Sequence, residues 1–208
     1  GDTIVKSGNI QLLLMDPVTL KVLAYESLGV ATANSFAGGR YFYLDDQGYA
    51  VIPRDGRIVT RRVSYLHGRT HFVAGPTYVL EDDDGPLLAP DETLASVLPD
   101  VDGNLWWMTE GSANYPAKVG FVDRETGEVP WITLSGYDGA LEEIRNSLAT
   151  DGDGGVYMVS THAIYRFEAN NGNVTTKWEG RYDRGLRQKP GTVSKGSGTT
   201  PTLLDIGG

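Results

Sequence analysis

SLATDGDGGVYMVS, residues 147–160, sets two aspartates and three glycines side by side just before an apolar run. Alone, it invites reading as a calcium loop. A twelve-residue calcium loop closes on a glutamate at its last position, and counting from Asp151 lands on His162 instead. The same turn also recurs. RYFYLDDQGYAVIP (residues 40–53) carries Asp45 and Gly48, SVLPDVDGNLWWMT (96–109) carries Asp100 and Gly103, and TPTLLDIGG (200–208) carries Asp205 and Gly208. Counting Asp151, successive aspartates are 55, 51 and 54 residues apart. Each full copy reads apolar strand, Asp-x-x-Gly, apolar strand. Glycine fits the positive φ that such a hairpin wants, and aspartate bonds the backbone just beyond it.

A second hairpin follows at a similar phase. NIQLLLMDPVTLKVLAYESL (9–28) holds Asp16 and Thr19 between apolar runs. KVGFVDRETGEVPWITL (118–134) holds Asp123, Thr126 and Gly127, and AIYRFEANNGNVTTKWEG (163–180) holds Glu168 and Gly172. One period is therefore strand A, an Asp-x-x-Gly turn, B, a loop, C, a second turn, and D. Four short strands in about 50 residues, repeated, are the pattern of β-propeller blades. A β-sandwich also has many short strands but no reason to repeat one turn at one phase.

The expectation is an all-β chain: a β-propeller of four repeated blades, each of four antiparallel strands, forming one domain over residues 1–208. The chain starts and stops at the same phase of the repeat. Strand A from the C-terminus would then complete a blade whose B, C and D come from the N-terminus. This gives either a closed four-bladed propeller or a segment of a larger one, and an incomplete propeller would self-associate through its open edges. GALEEIRNS (139–147) reads as a helical turn or two.

Composition narrows the partners. The net charge is −9 and the isoelectric point about 4.8, so nucleic acid is not an expected partner. No apolar run reaches the ~20 residues of a membrane helix. The first residue is Gly1, with no signal-peptide pattern, which suits a processed or excised chain. Cysteine is absent, which removes disulfides and thiolate chemistry.

The strings LLLMDPVTLKVLA and GFVDRETGEVPW resemble the outer hairpin of the PQQ-binding-like (quinoprotein-like) propeller repeat. SLATDGDGGVYMVS is similar to the inner hairpin of NHL and gluconolactonase-like propellers, and KPGTVSKGSGTTPTLLD resembles a segment of bacterial secreted quinoprotein-like propellers. The resemblance implies a blade architecture and a secreted or periplasmic location in a bacterium, with a cytoplasmic one left open. Quinoprotein dehydrogenases hold PQQ with a docking tryptophan pattern and vicinal cysteines. The absent cysteines and the non-repeating tryptophans speak against that cofactor.

Such propellers take ligands on the face built by the D–A and B–C loops. This topology puts His67 and His71 on the far side and His162, in the B–C loop, on the ligand face. Asn146 precedes strand A, where gluconolactonase-like propellers resemble it in offering a calcium ligand. Its equivalents are Arg40, Ala95 and Thr200, a mixed ring in which Arg40 favours an anion. Glu110, Asn114 and Tyr115 lie in the long B–C loop TEGSANYPAK and suit sugar or small-molecule contacts. EDDDGPLLAPDE (81–92) reads as a solvated acidic loop. RGLRQKPGTVSKGSGTT (184–200) is a basic, Gly-rich D–A loop with Lys189 and Lys195 directed at the channel.

The functional expectation is a ligand-binding or scaffold domain that recognises a small polar molecule, sugar or peptide on its loop face. The alternatives are a channel-sited enzyme of the lyase, lactonase or quinoprotein type using His162, with calcium as its metal, and an inactive fragment or truncation of a larger propeller.

Overall fold

The structure, a computed structural model, describes residues 3–7, 11–29, 41–137, 139–185, 187, 190, 196–197 and 199–204. Its seventeen strands are β1 (Thr3–Ser7), β2 (Gln11–Met15), β3 (Val22–Ser27), β4 (Tyr43–Leu44), β5 (Tyr49–Arg54), β6 (Arg57–Leu66), β7 (Arg69–Val79), β8 (Glu81–Asp82), β9 (Gly85–Pro86), β10 (Leu94–Pro99), β11 (Leu105–Thr109), β12 (Lys118–Val122), β13 (Trp131–Thr133), β14 (Ala149–Thr150), β15 (Val156–Val159), β16 (Ala163–Asn170) and β17 (Asn173–Arg181). They form four antiparallel meanders in chain order: β1-β2-β3, β4-β5-β6-β7, β10-β11-β12-β13 and β14-β15-β16-β17. We number these sheets one to four. The acidic loop after β7 folds into the small hairpin β8-β9.

The Asp-x-x-Gly turns join the first two strands of sheets two, three and four, as the repeat predicts. In each, one aspartate oxygen accepts two backbone N–H groups. Asp45 Oδ1 takes those of Gln47 and Tyr49, Asp100 Oδ1 those of Asp102 and Asn104, and Asp151 Oδ1 those of Asp153 and Gly155. Gly48, Gly103 and Gly154 close the turns at φ of 77°, 86° and 82°. In sheets three and four the other carboxylate oxygen is tied to an aromatic donor six residues on. Asp100 Oδ2 accepts from Trp106 Nε1, and Asp151 Oδ2 from Tyr157 OH, each at 2.8 Å. The turn is thus fastened to its own second strand.

The second turn is less uniform than the sequence suggests. Asp16 caps Val18 and Thr19, and Asp123 caps Glu125 and Thr126. Glu168 does no such thing. Strand β16 runs past it to Asn170, and Asn171-Gly172 makes a two-residue turn with positive φ at both positions. Glu168 instead pairs with Arg166 on its own strand and with Lys177 across on β17.

Three apolar cores join consecutive sheets. Leu12 and Leu28 meet Ala50, Ile52 and Val59 between sheets one and two. Val51 and Ile58 meet Val97, Leu105 and Trp107 between sheets two and three. Trp106, Met108 and Phe121 meet Val156, Met158, Tyr165 and Phe167 between sheets three and four. The strand sequences follow from this stacking. The inner strands β5 and β11 are buried on both faces and hold unbroken apolar runs, AVI and LWWM. Strands β2 and β16, in the first and last sheets, alternate between buried and half-buried residues.

Sheet one has three strands, the B, C and D of the repeat. The closing strand expected from the C-terminus does not appear in any ladder of the described residues. Residues 201–204 are described without strand pairing, with Leu204 79% exposed. Asp205–Gly208 lie outside the described residues.

Candidate functional site

The connection between sheets three and four decides the loop face. GALEEIRNS is not helical. Gly136 and Gly139 take φ of 76° and 77°, and Tyr137 and Ala140 form a tight bridge between them. The segment then runs extended between two B–C loops, because its backbone bonds go sideways. Ile144 N–H donates to Glu110 O at 2.7 Å, and Thr161 N–H donates to Glu143 O at 2.8 Å. Glu110 N–H in turn donates to Thr93 O at 2.8 Å. A hydrogen-bonded seam therefore links the loops of both sheets.

Glu142 anchors this seam from inside. Its side chain is wholly buried and accepts from the hydroxyls of Ser160 and Tyr165, the latter at 2.6 Å. Burial, with the hydrogen bond to Glu142, pushes the Tyr165 phenol far above its ordinary pKa, so it stays a donor. Ser160 Oγ also accepts the backbone N–H groups of His162 and Ala163, at 3.1 and 3.0 Å. A hydroxyl so committed holds the loop and is not presented as a nucleophile.

Two concavities open beside the seam. The first, about 420 Å³, is lined by Tyr137, Ala140, His162, Arg181, Tyr182, Asp183 and Arg184. His162 Nδ1 lies 3.0 Å from Thr161 Oγ1, its Nε2 meets an Arg184 guanidinium nitrogen, and its ring packs on Tyr137 at 5.6 Å between centroids. The Arg181 guanidinium carbon stands 3.8 Å from the Tyr137 ring centre. Arg184 Nε is buried and has no hydrogen-bond partner among the described residues. The second concavity, about 290 Å³, is lined by Asp91, Glu92, Thr93, Glu110, Gly111, Ser112 and Arg145. There Arg145 spans two carboxylates, Glu143 at 2.7 Å and Glu110 at 3.3 Å.

The sequence candidates separate accordingly. Glu110, Asn146 and His162 come to one face, joined by the seam. Asn146 Nδ2 donates to Ser197 O at 3.0 Å, so its amide docks the Gly-rich loop. That loop passes so close that a Cβ on Gly196 would stand 2.8 Å from Thr161 Cα. Asn114 and Tyr115 sit on a bend whose amides both bond Ser112 Oγ at 3.1 Å. Hydrogen bonding to the Asp91 carboxylate holds the Tyr115 phenol above its ordinary value. Arg40, Lys189 and Lys195 lie outside the described residues. His67 occupies the β6–β7 turn at φ 50°, and His71 follows in β7. Sequence reasoning missed Glu142, Glu143 and Arg145 by treating their segment as a helical turn. It also passed over Tyr137. Their position in a D–A connection was the available signal.

Neither implied cofactor fits these residues. Trp106 and Trp107 are fully buried between sheets, Trp131 packs on the second core beside Lys118, and Trp178 lies on the last strand, β17. None stands at the loop face to stack on a planar quinone. In the ring proposed for calcium, Ala95 is buried and apolar, and Thr200 Oγ1 accepts from Ser147 N–H at 3.1 Å. The described residues there assemble no set of free oxygen ligands.

No protein-family model matches the chain. A protein of Archaeoglobus fulgidus, itself uncharacterised, is 30% identical over 122 residues, which is 59% of this chain. The chain spans 23% of that relative's length. Among solved structures, BamB from Moraxella catarrhalis is similar with a TM-score of 0.46 at 13% identity, covering 87% of this chain and 50% of that one. No helix among the described residues is long and apolar enough to cross a membrane.

Proposed function

We propose that the four sheets are consecutive propeller blades and that their loop face is a binding surface for a small acidic ligand, either a free carboxylate or a peptide carrying one. The observation that carries this reading is the His162 cleft. Its Arg184 guanidinium keeps a buried Nε–H without a partner among the described residues, beside Arg181 on the Tyr137 face. Buried donors are normally paired, and a carboxylate matches a guanidinium edge with two parallel hydrogen bonds. The committed Ser160 hydroxyl favours binding over acyl transfer at this place.

The test is a titration with succinate, citrate and a short peptide ending in a free carboxylate, followed by NMR at the arginine Nε–H signals. Binding is expected to move the Arg184 Nε–H signal, and Arg184→Gln is expected to weaken it about tenfold, the effect of losing one charge-assisted contact. If none of the three acids moves that signal, or if Arg184→Gln leaves affinity intact, the reading fails.

A further inference from the structure

A third concavity lies elsewhere, at the turn end of the molecule between sheets two and three. It measures about 750 Å³, within the roughly 300–1,000 Å³ typical of small-molecule sites. Its walls include Tyr43, Tyr49 and Tyr78 from sheet two and Leu105 from sheet three, and Asp102 and Arg124 stand among its polar residues.

The state of these groups separates structural roles from available ones. Asp45 and Asp123, which also line the groove, already cap their own turns. Asp102 donates its backbone N–H to Asp100, but its carboxylate has no partner among the described residues. Arg124 is held in place by Nε donating to Gly103 O at 2.6 Å, which leaves its terminal N–H groups for a ligand. The hydroxyls of Tyr43, Tyr49 and Tyr78 have no hydrogen-bond partner among the described residues. Tyr43 and Tyr78 nevertheless pack against the second core. These phenols line the groove with both an aromatic face and a hydroxyl. Burial pushes the Tyr43 phenol up to about 12, so it remains a neutral donor and acceptor.

Aromatic faces, neutral hydroxyls, a free carboxylate and a fixed guanidinium together form a mixed donor–acceptor surface with apolar walls. We infer that this groove is a carbohydrate site, which takes neutral oligosaccharides by packing their C–H faces on tyrosine rings and bonding their hydroxyls to Asp102 and Arg124. A cationic ligand is disfavoured by Arg124, and an anionic one by Asp102 and the neighbouring turn aspartates. The site is independent of the loop-face cleft, which lies at the other end of the strands.

The experiment is a calorimetric titration of the whole chain with maltotriose, cellotriose, mannotriose and chitotriose at millimolar concentration, with spermidine as the charged comparison. At least one neutral trisaccharide is expected to bind. Asp102→Asn, at an exposed turn position, and Tyr78→Phe, which keeps the ring, are each expected to weaken it about tenfold or less without changing the melting temperature. Arg184→Gln, on the loop face, is expected to leave it unchanged. The inference is overturned if no trisaccharide binds or if spermidine binds in their place. It is equally overturned if Arg184→Gln, rather than the groove variants, removes the binding.

Discussion

Glu142 and Tyr165 meet through a 2.6 Å hydrogen bond across 23 residues of sequence, joining the extended D–A connection to the middle of sheet four. The carboxylate is fully buried, and the Ser160 hydroxyl is its other donor. Removing it leaves the buried Tyr165 hydroxyl without this acceptor and the Ser160 hydroxyl with only its longer bond to Ala163 O at 3.3 Å. Glu142→Ala is expected to destabilise the fold by about 3 kcal/mol, from roughly 1–3 kcal/mol per orphaned group. Tyr165→Phe leaves one donor in place and should cost less. Urea denaturation of the two variants checks both the size and the order. Equal stability of Glu142→Ala and the parent would show that the seam does not depend on this carboxylate.

Lys118 and Glu92 form the most enclosed ion pair among the described residues, with side chains 14% and 2% exposed and a separation of 2.6 Å. Lys118 Nζ also donates to Leu87 O at 2.8 Å, and the same Glu92 oxygen accepts from Ala89 N–H at 2.7 Å. Breaking one side of such a pair strands a buried charge, which typically costs about 3–5 kcal/mol. Lys118→Met is expected to fall in that range in urea denaturation at neutral pH, and adding Glu92→Gln, which removes the stranded charge, is expected to recover part of it. A double variant no more stable than Lys118→Met would place the damage in packing instead.

The turn aspartates tie stability to acidity. Burial raises Asp151, but N–H bonds from Gly155 and Asp153, the Tyr157 hydroxyl and the nearby Arg166 outweigh it, so the carboxyl is held below its ordinary value. Backbone and side-chain bonds from Thr126 and the Glu125 N–H lower Asp123, and bonds from Thr19 and Val18 lower Asp16. A depressed folded-state pKa contributes stability that is present above the unfolded value of about 3.9 and is lost as pH falls through the folded value. The melting temperature should therefore hold down to about pH 4 and drop below it. Asp151→Asn should lower the plateau and flatten that drop, as read by calorimetry across pH 2 to 7, the range in which carboxyls titrate.

Gly111 begins the B–C loop of sheet three at φ 65°, and a Cβ there would stand 2.5 Å from Glu142 O. Gly111→Ala meets both the left-handed backbone and an unyielding carbonyl. It is expected to destabilise by more than the roughly 1 kcal/mol of the conformational term alone. Gly127→Ala has φ 80° but open space around it, so it isolates the conformational part. Thermal melts of the pair separate the two causes, and equal melting temperatures would show that Gly111 is not sterically required.

The repeat was legible because its chemistry is local. Asp45, Asp100 and Asp151 each bond amides within four residues, so the turn, its glycine and the flanking strands are written in one short string. The apolar runs at β5 and β11 likewise announce strands covered on both faces. Glu142 was hidden for the opposite reason. Its partners, Ser160 and Tyr165, are 18 and 23 residues away, and in GALEEIRNS it looks like any exposed acid. Arg184 resembles a surface cation until the fold brings it to His162. The groove between sheets two and three draws on five separate segments, none of which stands out alone. Glu168 misled because it occupied the aspartate's place in the repeat while the hairpin lengthened beyond it.

The three cores, each shared by two sheets adjacent in sequence, give the molecule a mechanical character. Among the described residues its apolar cohesion is a chain of nearest-neighbour couplings, so the work of peeling off sheet one is set by Leu12, Leu28 and their contacts in sheet two. The loop-face seam crosses one of these junctions and rivets sheets three and four together. Under load or protease attack the assembly should come apart from the N-terminal side, and the riveted pair should be the last part to yield.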